Sequence, residues 1–232
     1  MPASCGDRHY DLVLFDADDT LFDFGACEAA ALRGAIGEAG IPWSERVLEA
    51  YSRANREAWA DFEKGMIAHE ELKTRRFEDF LRRLGLEGDA WVLGRIYVER
   101  LSEQRILMPG AEEALAYLAP SHTLALVTNG IKEVQRRRLE ASPIARFFAA
   151  TIISEEVGYA KPDPRMLDAA AHAVGISDKS RMILVGDSLS SDIGAGLNYG
   201  IDTVWLNRRG EGCGPKPPTF EIRTLSELAS IL

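Results

Sequence analysis

Acidic side chains follow an apolar segment near the start of the chain, in an arrangement that could bind a cation. Asp16 and Asp18 come directly after the run Leu12–Phe15, with one residue between them. A run this short and this apolar is typical of a strand that is buried on both faces. Carboxylates beside a hydrophobic core are costly unless a cation or hydrogen bonds stabilise them. These two residues therefore either mark a strand end in solvent or lie next to a positive charge.

Two later apolar runs also end in polar residues that could complete a site. These are Thr128, Asn129 and Gly130 after the run 123–127, and Asp187 and Asp192 after the run 181–185. In an open parallel sheet the carboxyl ends of the strands lie along one edge, and ligands bind at that edge. The sequence therefore predicts that all of these residues meet Asp16 and Asp18 there.

The four carboxylates of this predicted edge favour a divalent cation. Like charges about 4 Å apart repel by roughly 4 kcal/mol at an effective dielectric constant near 20. The cluster Asp16, Asp18, Asp187 and Asp192 therefore needs a counter-charge. Oxygen ligands without an accompanying histidine or cysteine suit a hard ion, Mg²⁺ above all.

The same edge offers groups that could bind a phosphate. Thr128 supplies a hydroxyl, and the turn at Asn129 and Gly130 could supply backbone N–H groups at the start of a helix. Lys161 lies just before another predicted helix, beside two prolines that would stiffen its turn. Its ammonium group is therefore expected to be held in place.

The elements that must position these residues follow two patterns. Residues 26–107 have the apolar spacing of helices, in the segments 28–39, 44–62, 69–84 and 89–107. From residue 109 onward helices and strands alternate, ending in a predicted helix over 225–232, and such alternation implies parallel strand pairing. The sequence predicts an α/β fold, a Rossmann-like doubly wound parallel sheet core formed by residues 1–22 and 108–232. A helical-bundle cap of residues 23–107 is inserted into it.

Composition narrows the classes of function. The chain has 232 residues, a hydrophobic fraction of 46% and a net charge of −9, which argues against nucleic-acid binding because a phosphate backbone requires a basic face. No apolar run approaches the length of a membrane span. Cys5, Cys27 and Cys213 are far apart and the N-terminus lacks the apolar core of a signal peptide. We expect a cytoplasmic protein with reduced thiols, a monomer or homodimer with no nucleic-acid or membrane partner.

Four motifs, taken together and in order, resemble those of the haloacid dehalogenase superfamily. They are Asp16-Ala17-Asp18-Asp19-Thr20, Val127-Thr128-Asn129-Gly130, Lys161-Pro162-Asp163-Pro164 and Gly186-Asp187-Ser188-Leu189-Ser190-Ser191-Asp192. Each motif alone is common by chance, whereas all four in this order are specific. The resemblance covers nearly the whole chain, including a helical cap inserted after the first strand.

This resemblance implies a Mg²⁺-dependent phosphatase. Asp16 matches the nucleophile that forms an aspartyl-phosphate, and Asp18 matches the general acid and base. Thr128 and Lys161 match the groups that orient and neutralise the phosphoryl oxygens. The implied metal ligands are Asp16, Asp18 through its backbone carbonyl, Asp187 and Asp192. A carboxylate at position 18 favours phosphate esters, because the dehalogenases of the superfamily lack one there.

A finer resemblance concerns the substrate. The segment 16–24, the cap stretches 62–65 and 74–77 and the late segment 202–207 resemble the pyrimidine 5'-nucleotidase branch, which implies a nucleoside monophosphate as substrate. A sugar-phosphate or phosphoglycolate-type phosphatase, or a phosphomutase, on the same core is the alternative. A non-catalytic binding protein is more distant, because both Asp16 and Asp18 are present.

Overall fold

The computed structural model describes residues 9–232, so that Cys5 lies outside the described part of the chain. This part divides into two compact units. The first contains the described residues up to Phe24, with Ile106–Lys132 and Leu139–Leu232, and the second contains Gly25–Arg105 and Glu133–Arg138. The domain boundaries at residues 22/23 and 107/108 stay a prediction, since the second unit also takes in six residues of a later helix.

Four consecutive helices account for most of the second unit. They are α1 (Phe24–Glu38), α2 (Glu45–Glu63), α3 (His69–Leu84) and α4 (Ala90–Ser102). The hydroxyl of Ser44 accepts the amide of Val47 at the start of α2. The carboxylate of Asp89 accepts the amides of Trp91 and Val92 at the start of α4. These caps satisfy N–H groups that have no partner within the helix, which explains why the helices begin there.

The prediction that the fourth helical segment reaches residue 107 is wrong. Helix α4 ends at Ser102, and Leu107 forms an antiparallel β-bridge with Phe22. The carbonyl of Ile106 accepts the amide of Asp23, and the amide of Met108 donates to the carbonyl of Leu21. Apolar spacing continues through this segment, but from Ile106 onward its backbone hydrogen bonds go to residues 21–23 instead of the preceding turn.

A parallel sheet forms the centre of the first unit. Its six strands are β1 (Leu12–Phe15), β2 (Thr123–Thr128), β3 (Phe148–Ile153), β4 (Met182–Gly186), β5 (Asp202–Leu206) and β6 (Phe220–Ile222). They lie in the order β3-β2-β1-β4-β5-β6, and each neighbouring pair is parallel. The prediction of a doubly wound α/β fold is therefore confirmed, although β6, only three residues long, was not predicted.

Strand β1 lies in the middle of this sheet and shows why the fold needs helices on both faces. Val13 and Phe15 pack into a core on one face, and Leu12 and Leu14 pack into a core on the other. Successive side chains of a strand point to opposite faces, so a strand that is covered on both sides is apolar throughout. All four side chains are fully buried.

Five further α-helices belong to the described residues. They are α5 (Ala111–Leu118), α6 (Lys132–Glu140), α7 (Ser154–Val157), α8 (Arg165–Val174) and α9 (Gly194–Tyr199). The final helix predicted over 225–232 is a 3₁₀ helix, Leu225–Ser230, which ends two residues earlier and starts with a capping box at Thr224 and Glu227. Among residues 9–232, none of the helices combines the length and apolar character needed to cross a bilayer.

Candidate active site

The three strands that precede the polar motifs are neighbours in the sheet. Phe15, the last residue of β1, is paired with Leu126 on β2 and with Val185 on β4. Because the three strands are parallel and in register, the residues that follow them emerge at the same edge. The chain order β1, β2, β4 thus becomes the spatial order β2, β1, β4, with Asp16 in the middle.

Lys161 joins this edge from the loop before α8 and lies against two carboxylates. Its Nζ is 2.5 Å from Oδ1 of Asp16 and 2.7 Å from Oδ1 of Asp192. It also donates to the backbone carbonyl of Val127 at 2.7 Å. Lys161 is 1% exposed, so three charged side chains meet in a nearly dry environment. The expectation that the ammonium group is held in place agrees with this geometry.

Asn129 binds the backbone of Lys161 on both sides. Its Oδ1 accepts the Lys161 amide at 2.7 Å, and its Nδ2 donates to the Lys161 carbonyl at 2.9 Å. The same Nδ2 lies 3.4 Å from Oγ of Ser191. The polar atoms of the Asn129 side chain are therefore engaged with the lysine loop.

The other residues after β2 differ in how they are placed. Thr128, the last residue of β2, is buried at the same edge. The amide of Gly130 donates to Oγ of Ser154 at 3.0 Å. Ser154 was not singled out from the sequence, where it lies in no motif. Phosphate binding by Gly130 stays a prediction, and it requires that phosphate replace this hydrogen bond.

Asp187 and Asp192 are held by the turn that follows β4. The indole Nε1 of Trp205 donates to the backbone carbonyl of Asp187 at 2.8 Å. The amide of Ser188 donates to Oδ2 of Asp192 at 3.0 Å. Asp192 thus accepts a hydrogen bond from its own turn and pairs with Lys161 at the same time. Gly186 leaves room for it, because a Cβ there would lie 2.3 Å from Cγ of Asp192.

Asp18 and Asp19 lie in the turn after β1. Asp18 is half-buried, and its backbone forms an isolated β-bridge with that of Phe22. Asp19 has a φ angle of +59°, an unusual value for a residue other than glycine. Its carboxylate pairs with Arg208 at 3.3 Å. One residue separates Asp16 from Asp18. Two side chains at this spacing can face the same ligand.

Three of the four predicted carboxylates come together as a candidate metal site. Asp16, Asp187 and Asp192 each offer an oxygen atom within 4.8 Å of the others. The carboxylate of Asp18 does not belong to this group, and coordination through its carbonyl stays a prediction. Three oxygen donors, including two buried carboxylates, are a donor set that suits Mg²⁺.

The electrostatics of the cluster also call for a cation. Burial raises the pKa of Asp16, Lys161 lowers it, and Asp192 and Asp187 raise it further, so that the pKa lies well above its ordinary value. Burial, Asp192 and Asp19 raise the pKa of Asp187 to about 7. Burial alone would lower the pKa of Lys161, but Asp16 and Asp192 outweigh it and raise the pKa. One lysine does not balance three carboxylates, and a divalent cation would favour their charged forms.

Comparison with known proteins identifies related families and structures. The family model for haloacid dehalogenase-like hydrolases matches residues 10–200. The HAD-hydrolase YfnB of Bacillus subtilis (strain 168) is 34% identical over 226 residues, which cover 97% of this chain and 96% of that protein. A crystal structure of YfnB described as bound to magnesium superposes with a TM-score of 0.91 and covers 97% of this chain and 99% of that one.

Two further relatives carry a more specific description. Pyrimidine 5'-nucleotidase YjjG of Escherichia coli (strain K12) is 32% identical over 227 residues, which cover 96% of this chain and 98% of that protein. Pyrimidine 5'-nucleotidase PynA of Streptococcus pneumoniae (strain ATCC BAA-255 / R6) is also 32% identical, with coverage of 96% and 95%. Both similarities extend over nearly the full length of the chain.

Proposed function

The chain belongs to the haloacid dehalogenase-like hydrolases, and we propose that within this family it is a Mg²⁺-dependent phosphomonoesterase acting on pyrimidine nucleoside 5'-monophosphates. The observation that carries the proposal is the buried group of Asp16, Asp192 and Lys161, with Asp187 beside it. The choice of substrate is supported by the two pyrimidine 5'-nucleotidases that are 32% identical over nearly the whole chain.

The first chemical step transfers the phosphoryl group to the protein. A carboxylate oxygen of Asp16 attacks phosphorus while the bond from phosphorus to the ester oxygen breaks. Asp18 donates its proton to that leaving oxygen, which departs as the alcohol of the nucleoside. The product on the protein is an aspartyl-phosphate at Asp16, and Asp18 is left as a carboxylate.

The second step restores the protein. Asp18, now a base, removes a proton from a water molecule whose oxygen attacks the phosphorus of the aspartyl-phosphate. The bond from phosphorus to the Asp16 oxygen breaks, inorganic phosphate leaves, and Asp16 returns to its carboxylate form. The half-buried position of Asp18 supports this role, because it leaves the side chain partly accessible while Asp16 is nearly enclosed.

Positive and polar groups stabilise the charge that develops on the phosphoryl oxygens. The Lys161 ammonium lies 2.5 Å from Oδ1 of Asp16, so it is next to the carboxylate that attacks. The hydroxyl of the buried Thr128 lies at the end of the neighbouring strand. Both groups are held before substrate arrives, which limits the reorganisation needed during the reaction.

The metal requirement rests on the carboxylates. Asp16, Asp187 and Asp192 would hold Mg²⁺, with the Asp18 carbonyl as a further ligand, and this fits the raised pKa values of Asp16 and Asp187. When bound, the ion would neutralise phosphate charge and favour the ionised form of Asp16. The chain's own contribution is to keep these side chains close and nearly dry.

The proposal is tested by phosphate release from a panel of nucleoside monophosphates and sugar phosphates, with Mg²⁺ and with a chelator. We expect release from pyrimidine nucleotides that the chelator abolishes. Asp16→Asn should lower the rate by at least about 10³-fold, because the nucleophile is lost. The control is Asp178→Asn, an exposed carboxylate that caps a surface turn before β4, and it should leave the rate unchanged.

Two outcomes would contradict the proposal. Full activity of Asp16→Asn would show that Asp16 is not the nucleophile. Phosphate release from sugar phosphates but not from nucleotides would leave the phosphatase assignment intact. It would contradict the proposed nucleotide substrate and favour the sugar-phosphate alternative.

A further inference from the structure

We infer that Asn129 is a positioning residue that acts through Lys161, an inference that rests on the proposed phosphatase function. Asn129 lies in the loop after β2, and Lys161 lies 32 residues later in the loop before α8. The asparagine carboxamide accepts the Lys161 amide at 2.7 Å and donates to the Lys161 carbonyl at 2.9 Å. Two opposed hydrogen bonds to the backbone of one residue fix that backbone in both position and orientation.

The position of the Lys161 backbone matters because its ammonium group is held by two hydrogen bonds and an ion pair. An ammonium group has three N–H donors. Nζ of Lys161 has three acceptors within 2.7 Å, from Asp16, Asp192 and the carbonyl of Val127. The side chain is 1% exposed and cannot move outward without leaving these partners. A displacement of the backbone is therefore passed directly to the charge beside Asp16.

The same contacts argue against direct binding of phosphate by the Asn129 side chain. Its Oδ1 is an acceptor that is already used by the Lys161 amide, and an acceptor gains nothing from a phosphate oxygen. Its Nδ2 donates to the Lys161 carbonyl and has Oγ of Ser191 at 3.4 Å. We therefore assign the side chain of Asn129 to the lysine loop, whereas phosphate binding by its backbone N–H group stays a prediction.

A double-mutant cycle on the rate of phosphate release separates the two roles. Asn129→Ala should lower kcat by about 10- to 100-fold with a smaller effect on KM, because a misplaced catalytic group costs rate. In the Lys161→Ala background the same substitution should lower kcat by less than about threefold, because the residue it acts through is gone. An equal loss in both backgrounds would show that Asn129 acts on the substrate itself and would overturn the inference.

Asn198→Ala is the matched control for the loop. Asn198 is an exposed asparagine on α9 whose Nδ2 donates to the carbonyl of Pro162, the residue after Lys161, at 3.0 Å. The substitution Asn198→Ala removes a hydrogen bond to the same loop and leaves the hydrogen bonds of Lys161 in place. We expect kcat to stay within about threefold of the wild type. If kcat fell as far in Asn198→Ala as in Asn129→Ala, the loss of any hydrogen bond to this loop would be enough to lower the rate. That result would contradict a specific role for Asn129.

A second readout does not depend on activity. Reductive methylation of the intact protein with formaldehyde and a borane, followed by mass spectrometry of the Lys161 peptide, reports how accessible Nζ is. We expect Lys161 to be protected in the wild type and in Asn198→Ala, and to react at least about 10-fold faster in Asn129→Ala at equal melting temperature. Unchanged protection in Asn129→Ala overturns the inference. Faster labelling in a protein that releases phosphate from no substrate supports the positioning role and overturns the proposed function alone.

Discussion

A methyl group at position 186 should disturb the candidate metal site through Asp192. A Cβ added at Gly186 would lie 2.3 Å from Cγ, 2.4 Å from Cβ and 2.4 Å from Oδ2 of Asp192. Contacts below about 3 Å do not occur between real carbon atoms, so the residues must move apart. Because Cβ of Asp192 is among the atoms met, a rotation of the carboxylate alone does not relieve the clash. The backbone of the turn after β4 must also shift.

Two quantities should change in Gly186→Ala. Overpacking of a buried site costs about 1–3 kcal/mol of folding free energy, which for a chain of this size lowers Tm by about 2–12 °C. The second quantity is the affinity for Mg²⁺, because the shifted carboxylate belongs to the cluster with Asp16 and Asp187. Changes to residues that orient metal ligands typically cost 10- to 100-fold in metal affinity.

Gly196→Ala provides the comparison that separates these quantities. A Cβ at Gly196 on α9 would lie 2.2 Å from Cγ2 of Thr203, which is also buried. This contact is as short as those at Gly186, but it involves only a terminal methyl group of β5, since Cβ of Thr203 is 3.7 Å away, and none of the three carboxylates. We therefore expect a loss of Tm no larger than that of Gly186→Ala and an unchanged affinity for Mg²⁺.

The assay measures both variants by thermal unfolding and by calorimetric titration with Mg²⁺ at a temperature where each is folded. If Gly186→Ala bound Mg²⁺ with wild-type affinity, the position of Asp192 would not depend on the space that Gly186 leaves. A loss of affinity in Gly196→Ala equal to that in Gly186→Ala would show that reduced stability, and not ligand placement, controls metal binding.

Two more predictions concern Asp187. Its pKa is raised to about 7, so without metal its contribution to stability is present below about pH 4 and is lost as pH rises through 7. Mg²⁺ binds the charged form of Asp187, so the rise in Tm on adding Mg²⁺ should be larger at pH 8 than at pH 6. An equal rise in Tm at the two pH values would contradict this prediction. Trp205→Phe removes the indole donor at 2.8 Å from the Asp187 carbonyl and should weaken Mg²⁺ binding by about 10-fold in the same titration, whereas unchanged binding would exclude a role for that hydrogen bond.

The parts of the site that lie on strands could be predicted from the sequence. The run Leu12–Phe15 is apolar throughout, which indicates a strand covered on both faces, and the structure buries all four residues. A parallel sheet brings the ends of such strands to one edge, so Asp16 and Asp187 could be placed together without knowledge of any contact. Parallel pairing carries this information, and short sequence patterns are sufficient to infer parallel pairing, although they did not give the strand order or β6.

The hydrogen bonds that hold the site could not be predicted in the same way. The motif that contains Asn129 indicates a polar loop, but a carboxamide can bind a ligand or a backbone equally well. Whether its partner is Lys161 depends on the path of a loop 32 residues away. Trp205 has an apolar neighbourhood that predicts a buried strand residue, and nothing in its spacing indicates that its N–H meets the carbonyl of Asp187.

A buried polar cluster in the second unit shows the same limit more clearly. Glu28 on α1 accepts hydrogen bonds from Ser52 at 2.5 Å and Asn55 at 2.8 Å on α2, and Asn55 accepts one from Arg76 on α3 at 3.0 Å. The Arg76 guanidinium lies 4.8 Å from the ring centre of Tyr97 on α4. Periodicity treats each charged residue as part of the exposed face of its own helix, yet Arg76 is 1% exposed and Glu28 is 7% exposed.

Burial changes the acidity of Glu28 in this cluster. It raises the pKa of Glu28, while Ser52, Asn55 and Arg76 lower it in part. Removal of one partner from a buried charged pair leaves the other uncompensated, at a cost that exceeds the gain from forming the pair. The four helices therefore depend on one another through residues that look like surface residues in the sequence. For this reason helical spacing can locate the helices of the second unit but cannot identify the side chains that hold them together.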